Sequence, residues 1–485
     1  MTIETALWWS ICRSLLVSTI ALPLAAILWQ LCSAGSGRSI QKRLLAFGAI
    51  LPLFVPDLLV GFTYRLTSTR LVHSVAATEA LYAALLLIRI VSLQVAVRLV
   101  LPASSVTIES LHSWKMQQSP TPGWWLTWLR MQILGPLRRP LAAWLAGCLL
   151  CFQDFETAAL LQIDRHPIAW TVWLFDAHAA GEPLRNSLRF VSEGLILQAA
   201  ILVPAIFLLN ASQKSTEGLN TASNTKPNGA RKRAINVIAL LLLTGSLITV
   251  AGWPAISNGG SIADGFLTLW RQNTLQPRSK QIAASLITSI TAAALALSIS
   301  RWLCELKSRV LVIAFLLPGL CGSLFVSLTM LAIFQLPGVN KAYDTWLPMI
   351  LGQSVLIMPR AWLLVTLLNV NSNSGTLHSA KLLGNATYHK SQQMAHAILW
   401  RLQHRRWVLV IAILSHWCLW DVTIASTLRP VTFEPIVTRL YNEMHYNRTE
   451  TLVALTVLTI ATPFIAYLLI GSVWKRTSLL RGTDA

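Results

Sequence analysis

Apolar runs of about 20 residues recur from one end of this 485-residue chain to the other, and only 12% of its residues are charged. That is the length a helix needs to cross ~30 Å of hydrocarbon. Inside hydrocarbon every backbone N–H and C=O must find its partner within the chain, which leaves helices or a closed barrel. The runs are continuous rather than alternating with period two, so the barrel is excluded. The expected fold class is an all-α polytopic membrane protein with about 11 transmembrane helices, at 7–32, 44–66, 78–101, 138–162, 188–209, 235–256, 281–302, 310–335, 346–369, 406–427 and 450–474. The first run carries Arg13 and ends without a small-residue cleavage site, so it reads as a retained span rather than a signal peptide.

A short phrase occurs twice, Leu111-His112-Ser113-Trp114-Lys115 and Leu377-His378-Ser379-Ala380-Lys381, 266 residues apart and each time in a polar loop. Leu51-Pro52 recurs as Leu317-Pro318 at the same offset, and Arg138-Arg139 and Asp154 recur as Arg405-Arg406 and Asp421 at 267. Ser14-Leu15 pairs with Ser285-Leu286. Landmarks in one order and nearly one spacing argue for two copies of one unit. The first unit is expected over 1–209 (about five spans, long loop 103–136) and the second over 235–485 (about six spans, long loop 371–404). Residues 210–234, polar, Ser/Thr/Asn-rich and basic, read as a flexible linker. With five spans before the linker and one leading helix after it, both units point the same way, as a parallel repeat.

The formal charge of +20 would suggest nucleic acid in a soluble protein, but here the distribution of Lys and Arg decides its meaning. With the N-terminus outside, the inner segments carry 23 basic residues and the outer segments 10. The positive-inside rule then gives N-out and C-in and puts both long loops in the cytoplasm. No nucleic-acid partner is implied; the partner of the bulk surface is the lipid bilayer, and many of the 20 Trp suit its interfaces. The seven Cys show no extracellular framework spacing, and Cys148 and Cys151 sit mid-run where packing is the simpler reading. The ten His show no clustered ligand spacing, so no metal site is expected. No Gly-x-x-x-x-Gly-Lys-Ser/Thr loop is present, so no ATP hydrolysis by that route, no other catalytic residue and no cofactor are assigned.

Ionisable residues inside apolar runs are functional candidates because hydrocarbon penalises them. Asp57, Asp154, Glu156 and Asp421 are the pathway candidates, with helix capping or pairing to Arg as the competing role. Arg89 and Arg360 are possible partners for them, whereas Arg98, near the inner end of its run, reads as snorkelling to the interface. Pro52, Pro56, Pro318 and Pro359 break or kink spans in both copies.

The stretch His378-Ser379-Ala380-Lys381-Leu382-Leu383-Gly384 resembles the Glu-Ala-Ala-x-x-x-Gly loop of permease subunits in binding-protein-dependent ABC importers. Arg405-Arg406, Asp421 and the segment from Leu428 to Glu450 are similar to the corresponding parts of the fused, two-unit permeases of the ferric-iron and thiamine group. At the family's glutamate stand His378 and His112, with Glu109 three residues upstream of the latter; its glycine is Gly384 in one copy and Gln118 in the other. The resemblance implies a non-enzymatic inner-membrane permease that forms the solute path, with ferric iron as first solute and thiamine or another small solute as the alternative. It implies two ABC ATPase subunits beneath the loops, held through Glu109, His112, Ser113, Lys115, His378, Ser379, Ala380, Lys381 and Gly384, and an extracytoplasmic solute-binding protein. The rival from another class is an ion-coupled secondary transporter using the intramembrane acids as relays.

Overall fold

The computed structural model describes residues 2–34, 39–71, 73–101, 116, 124–161, 169–210, 229–257, 259–271, 275–306, 308–370, 379, 382–383, 394–395, 398–400, 404–445 and 451–480. Among the described residues there is no strand. Two compact units divide at Gly259–Gly260.

The first unit runs α1 (Ile3–Ala34), α2 (Ser39–Ile50), a 3-10 turn at Leu51–Leu53, α3 (Asp57–Leu71), α4 (Val75–Val100), α5 (Trp124–Leu134), α6 (Arg138–Phe152), α7 (Glu156–Leu160), α8 (Trp170–Ala179), α9 (Leu184–Asn210), α10 (Gly229–Leu247) and α11 (Trp253–Ser257). The second runs α12 (Gly259–Arg271), α13 (Leu275–Glu305), α14 (Arg309–Leu320), α15 (Ser323–Phe334), α16 (Leu347–Val370), α17 (Arg405–Leu419), α18 (Val422–Thr427), α19 (Ile436–His445) and α20 (Leu452–Leu480).

Among the described residues seven helices are long and apolar enough to cross a membrane: α1, α4, α9, α10 with its continuation, α13, α16 and α20. Two bent pairs bring the number to nine if each pair is one span: α2 with α3, bent by 68°, and α14 with α15, bent by 101°. Both bends fall where proline stops the backbone ladder. Pro52 sits in the 3-10 turn and Pro56 just before α3, while Pro318 lies two residues from the end of α14. Gly322 then turns the second bend with φ of +94°, a left-handed conformation that a side chain disfavours.

The remaining two runs, expected as spans at 138–162 and 406–427, are each split. A 15-residue helix, α6 or α17, is followed by a helix of five or six residues, α7 or α18. At 1.5 Å per residue, 15 residues reach only about 22 Å, short of the hydrocarbon thickness.

The core of each unit forms where its first long helix meets the others. In the first unit Val17, Ala21, Ala25 and Leu28 of α1 pack with Leu86, Ile90 and Val95 of α4. In the second, Ala292, Ala293 and Ala296 of α13 pack with Ile357, Ala361 and Val365 of α16 and with Val410 and Leu414 of α17. Small residues let helix backbones approach when lipid offers no hydrophobic driving force between helices. Gly147 in α6 carries the same logic further, since a Cβ there would lie 2.9 Å from Ile90 of α4 and 3.1 Å from the Ser18 hydroxyl of α1.

The run expected at 235–256 as the leading helix of the second unit packs inside the first. Ala239, Leu243 and Val250 join the core built around α1, and the Tyr64 hydroxyl of α3 donates to the Thr249 carbonyl at 2.9 Å. Helix α12, too short to span, exposes Leu267 and Trp270. Trp8, Trp9, Trp125, Trp253 and Trp302 are exposed as interfacial aromatics are, but Trp170, Trp362 and Trp420 are buried structural residues.

Close approach at glycine gives a direct check. A Cβ on Gly319 of α14 would lie 2.1 Å from the Val355 carbonyl oxygen of α16, whereas one on Gly245 or Gly471 would meet nothing within 4 Å. Gly319→Ala is expected to lower the thermal midpoint in detergent, at a cost of about 1–3 kcal/mol. Gly471→Ala should hold or raise it. Equal midpoints for the two variants would refute this helix packing.

Candidate functional site

The two split runs end their longer helix just before an acidic residue, and the acid's role in the break differs between units. Breaking a helix frees carbonyls that cost about 1–3 kcal/mol each if buried without a donor. In the first unit the donors come from the start of α8. Trp170 Nε1 donates to the Phe152 carbonyl at 2.7 Å and the Thr171 hydroxyl to the Asp154 carbonyl at 2.7 Å.

Around the Asp154 carboxylate the structure assembles polar groups from four helices. The Tyr82 hydroxyl of α4 donates to Oδ2 at 2.8 Å, and the Thr157 hydroxyl lies 3.2 Å from Oδ1. Arg89, about two turns further along α4, brings a guanidinium nitrogen within 3.8 Å of Oδ1 and donates to Asp57, the first residue of α3. On the other side of Tyr82, Arg13 of α1 lies over its ring at 4.8 Å. Arg13 also pairs with Glu79 of α4, Nη2 to Oε2 at 3.0 Å. Glu79, Arg13, Tyr82, Asp154, Arg89 and Asp57 thus form one connected chain of polar groups holding α1, α3, α4 and the α6–α7 break together. Asp57 and Arg89 also line a small pocket with Pro52, Thr157 and Val250.

In the second unit the described network of ion pairs, Arg429, Glu434, Arg439 and Glu443, does not include the acid at the break. Helix α16 has one ionisable residue, Arg360, whose guanidinium lies over the Trp417 ring at 5.3 Å. The charges of α13 lie near its two ends. Asp421 caps α18, its Oδ1 accepting the Ile424 N–H at 2.7 Å. The Cys418 carbonyl freed by the break accepts from Gln353 Nε2 of α16 at 3.1 Å and from the Asp421 N–H at 3.3 Å.

Of the pathway candidates, Asp57 and Asp154 converge on Arg89, Glu156 stands half-buried in the first turn of α7, and Asp421 is a cap. Pairing and capping, the roles that competed with a pathway role, are what the geometry contains. Arg98 differs from the snorkelling expected of it: it is 8% exposed and donates to the Leu22 carbonyl of α1 at 3.2 Å. Tyr82, Thr157 and Glu79 were not singled out from the sequence. Glu79, an acid inside an apolar run, carried the same signal as Asp57, whereas a tyrosine or threonine there carries none.

Of the loop residues, Glu109, His112, Ser113, Lys115, His378, Ala380, Lys381 and Gly384 lie outside the described residues. Ser379, Leu382 and Leu383 are helical and exposed, and Ala395 is buried. At the near end of the following helix in each unit, Arg138 Nε donates to the Leu208 carbonyl of α9 at 2.8 Å, and Arg405 Nε to the Tyr467 hydroxyl of α20 at 3.0 Å. Among the described residues no group of three or more His, Cys, Asp and Glu is placed to hold a metal ion.

These features define a class, a helical multi-pass membrane protein with seven to nine candidate spans among the described residues, some of them broken. The chain matches no protein-family model, no curated protein and no solved structure.

The Arg89 network makes a graded prediction. Arg89→Met leaves Asp57 and Asp154 without their cation, and breaking a buried pair from one side costs about 3–5 kcal/mol, less here because Arg89 retains 21% side-chain exposure. Removing all three charges together in Asp57→Asn/Arg89→Met/Asp154→Asn should cost less than Arg89→Met alone. Arg301→Met, which removes an exposed 3.9 Å pair with Glu305 and a 5.9 Å approach to the Trp407 ring, should move the thermal midpoint far less than Arg89→Met. A triple variant less stable than Arg89→Met would show that the network is not held by charge compensation.

Proposed function

We propose that the protein is the permease component of an ABC importer, with two parallel repeated units that form a solute path between them and couple to two separate ATPase subunits. The observation that carries this reading is the order and spacing of elements in the two units. Helices α3 and α15 begin 266 residues apart, as do α7 and α18 and also α8 and α19, while α6 and α17 begin 267 apart. This is the offset of the twin Leu-His-Ser-x-Lys loops, which fall between α4 and α6 and between α16 and α17.

Local hydrogen bonds support the same pairing. The first N–H of α8 donates to Ser10 of α1 at 3.1 Å, and the first N–H of α19 to Ser285 of α13 at 3.0 Å. Ser14 and Ser289 then donate to the carbonyls of Ser10 and Ser285. Matched this way, Ser285 answers to Ser10 rather than to Ser14, one helical turn from the pairing read in the sequence. One turn keeps the same helix face, so the duplication is supported while its register in the first helix moves.

In this reading the N-terminus is outside and the C-terminus inside, by the excess of Lys and Arg in the inner segments. ATP-driven closure of the ATPases beneath the loops at 103–136 and 371–404 rocks the two units and exposes the path alternately to either side. A solute-binding protein at the outer loops selects the solute, ferric iron first and thiamine or another small solute as the alternative. The buried acids already have partners in the protein, which favours an external energy source over a proton relay through them.

Two measurements test this. Deleting residues 376–384 should abolish co-purification of an ATPase from native membranes without lowering the amount of inserted protein. Uptake should stop on ATP depletion and persist when a proton uncoupler is added with ATP intact. Uptake that collapses with the uncoupler would instead establish an ion-coupled transporter.

A further inference from the structure

Helices α2 and α10 lie side by side in the first unit and run the same way. A Cβ on Gly48 of α2 would lie 3.6 Å from Leu243 of α10, and Val250, further along than Leu243, shares a pocket with Pro52, Val55 and Asp57. Later residues of one helix thus meet later residues of the other, so both helices begin at the same end of the unit. The two candidate spans also begin there, at Ile40 and at Arg233.

Each helix turns an apolar stripe away from the protein, and each stripe is headed by an arginine. On α2 the exposed residues Ile40, Leu44 and Phe47 recur at the spacing of one helix face, and Arg43, also exposed, falls on that face. On α10 Val237, Leu241 and Ile248 are exposed in line with Arg233, while Ala239, Leu243 and Val250 on the opposite side join the core. Counted back from the Gly48–Leu243 approach at about 1.5 Å per residue, the two arginines start about 7–8 Å apart along the axis, a difference that two long side chains reaching for one phosphate group can close. Neither helix contains an Asp or Glu, and among the described residues neither arginine has an ion pair.

We propose that this end of the α2–α10 pair retains one anionic phospholipid, its phosphate held between Arg43 and Arg233 and its acyl chains laid along the two apolar stripes. The surface selects that ligand. A soluble anion satisfies the arginines but leaves the stripes bare, and a zwitterionic lipid covers the stripes but brings its own ammonium group to the arginines. An anionic lipid answers both. Guanidinium suits the phosphate because its fork of donors matches two oxygens at once. Held there, the lipid ties α2 to α10 just before the 68° bend that leads to Asp57 at the start of α3. The site rests on membrane insertion and not on what the protein transports; under the topology proposed above, the lipid belongs to the inner leaflet.

The full chain in an uncharged detergent is to be heated with phosphatidylglycerol, with phosphatidylcholine of the same acyl chains, or with glycerol phosphate. Phosphatidylglycerol should raise the midpoint about 2–4 °C above the other two. Arg43→Gln/Arg233→Gln should remove that difference, Arg43→Lys/Arg233→Lys should keep most of it, and Arg271→Gln, at an exposed arginine of α12, should leave it whole. Native mass spectrometry should count one retained phosphatidylglycerol per chain, lost in the Gln pair, and it reads binding even where a variant's stability has changed. An equal rise with phosphatidylcholine would show general solvation by lipid, and an equal rise with glycerol phosphate would show a site for a free anion; either overturns the proposal. So does retention that survives the Gln pair, or a dimer of the chain that hides these stripes and binds no lipid.

Discussion

The structure turns on how a membrane helix can stop partway and still satisfy its backbone. A continuous span needs nothing from its surroundings, since each N–H and C=O is paired within it. A span that stops at Phe152 or Leu419 exposes carbonyls, and only a side chain or another helix end can answer them. The chain solves this twice with a common device and different fittings. The helix that follows the break, α8 or α19, is docked by its first N–H onto a serine of the first long helix. The carbonyls of the break are then served by Trp170 and Thr171 in the first unit and by Gln353 in the second.

Charge is where the units part. The first unit runs two guanidiniums and three carboxylates in one connected chain through its break; the second joins Arg429, Glu434, Arg439 and Glu443 in a separate ion network that leaves Asp421 and Arg360 out. In a low-dielectric interior a charge persists only with a partner, so Arg13, Glu79, Arg89, Asp57 and Asp154 stand or fall as a set. Such a set fixes α1, α3, α4 and the break in one arrangement. The second unit relies on small-residue packing, Ala292, Ala293 and Ala296 against Ile357 and Ala361, and on a cap. If the units move against each other, the first has the stiffer break and the second the more adaptable one.

Much of this was legible in the sequence, and the rest was hidden for definite reasons. The long helices follow from apolar length alone, and the bends fall at Pro52, Pro56 and Pro318, but Pro23, Pro204, Pro359 and Pro463 lie inside continuous helices, so a proline by itself does not mark where a span breaks. The splits at Asp154 and Asp421 were not read, since an apolar run with a single acid has the same hydropathy whether or not the helix continues. A cap signal was nonetheless present: an Asp just ahead of a helix start, as Asp421 is for α18, is what a helix N-terminus uses. The convergence of Asp57 and Asp154 on Arg89 is a matter of residues 32 and 65 positions apart, which no local pattern encodes. The same holds for the helix at Gly229–Leu247, whose partner in packing is not its neighbour in sequence.

The asymmetry also bears on the loops. In both units the helix that leaves the long loop is anchored by an arginine to a long helix, Arg138 to Leu208 of α9 and Arg405 to Tyr467 of α20. Under the proposed coupling, a push delivered to either loop reaches α9 or α20 and the break through one short helix. In the first unit that helix ends against the charged set, which resists displacement; in the second it ends at Asp421, where a single hydrogen bond to Ile424 caps the next helix. Since a packed core transmits motion only through elements that have two arrangements, the second loop is the better placed of the two to convert a push into a change at its break.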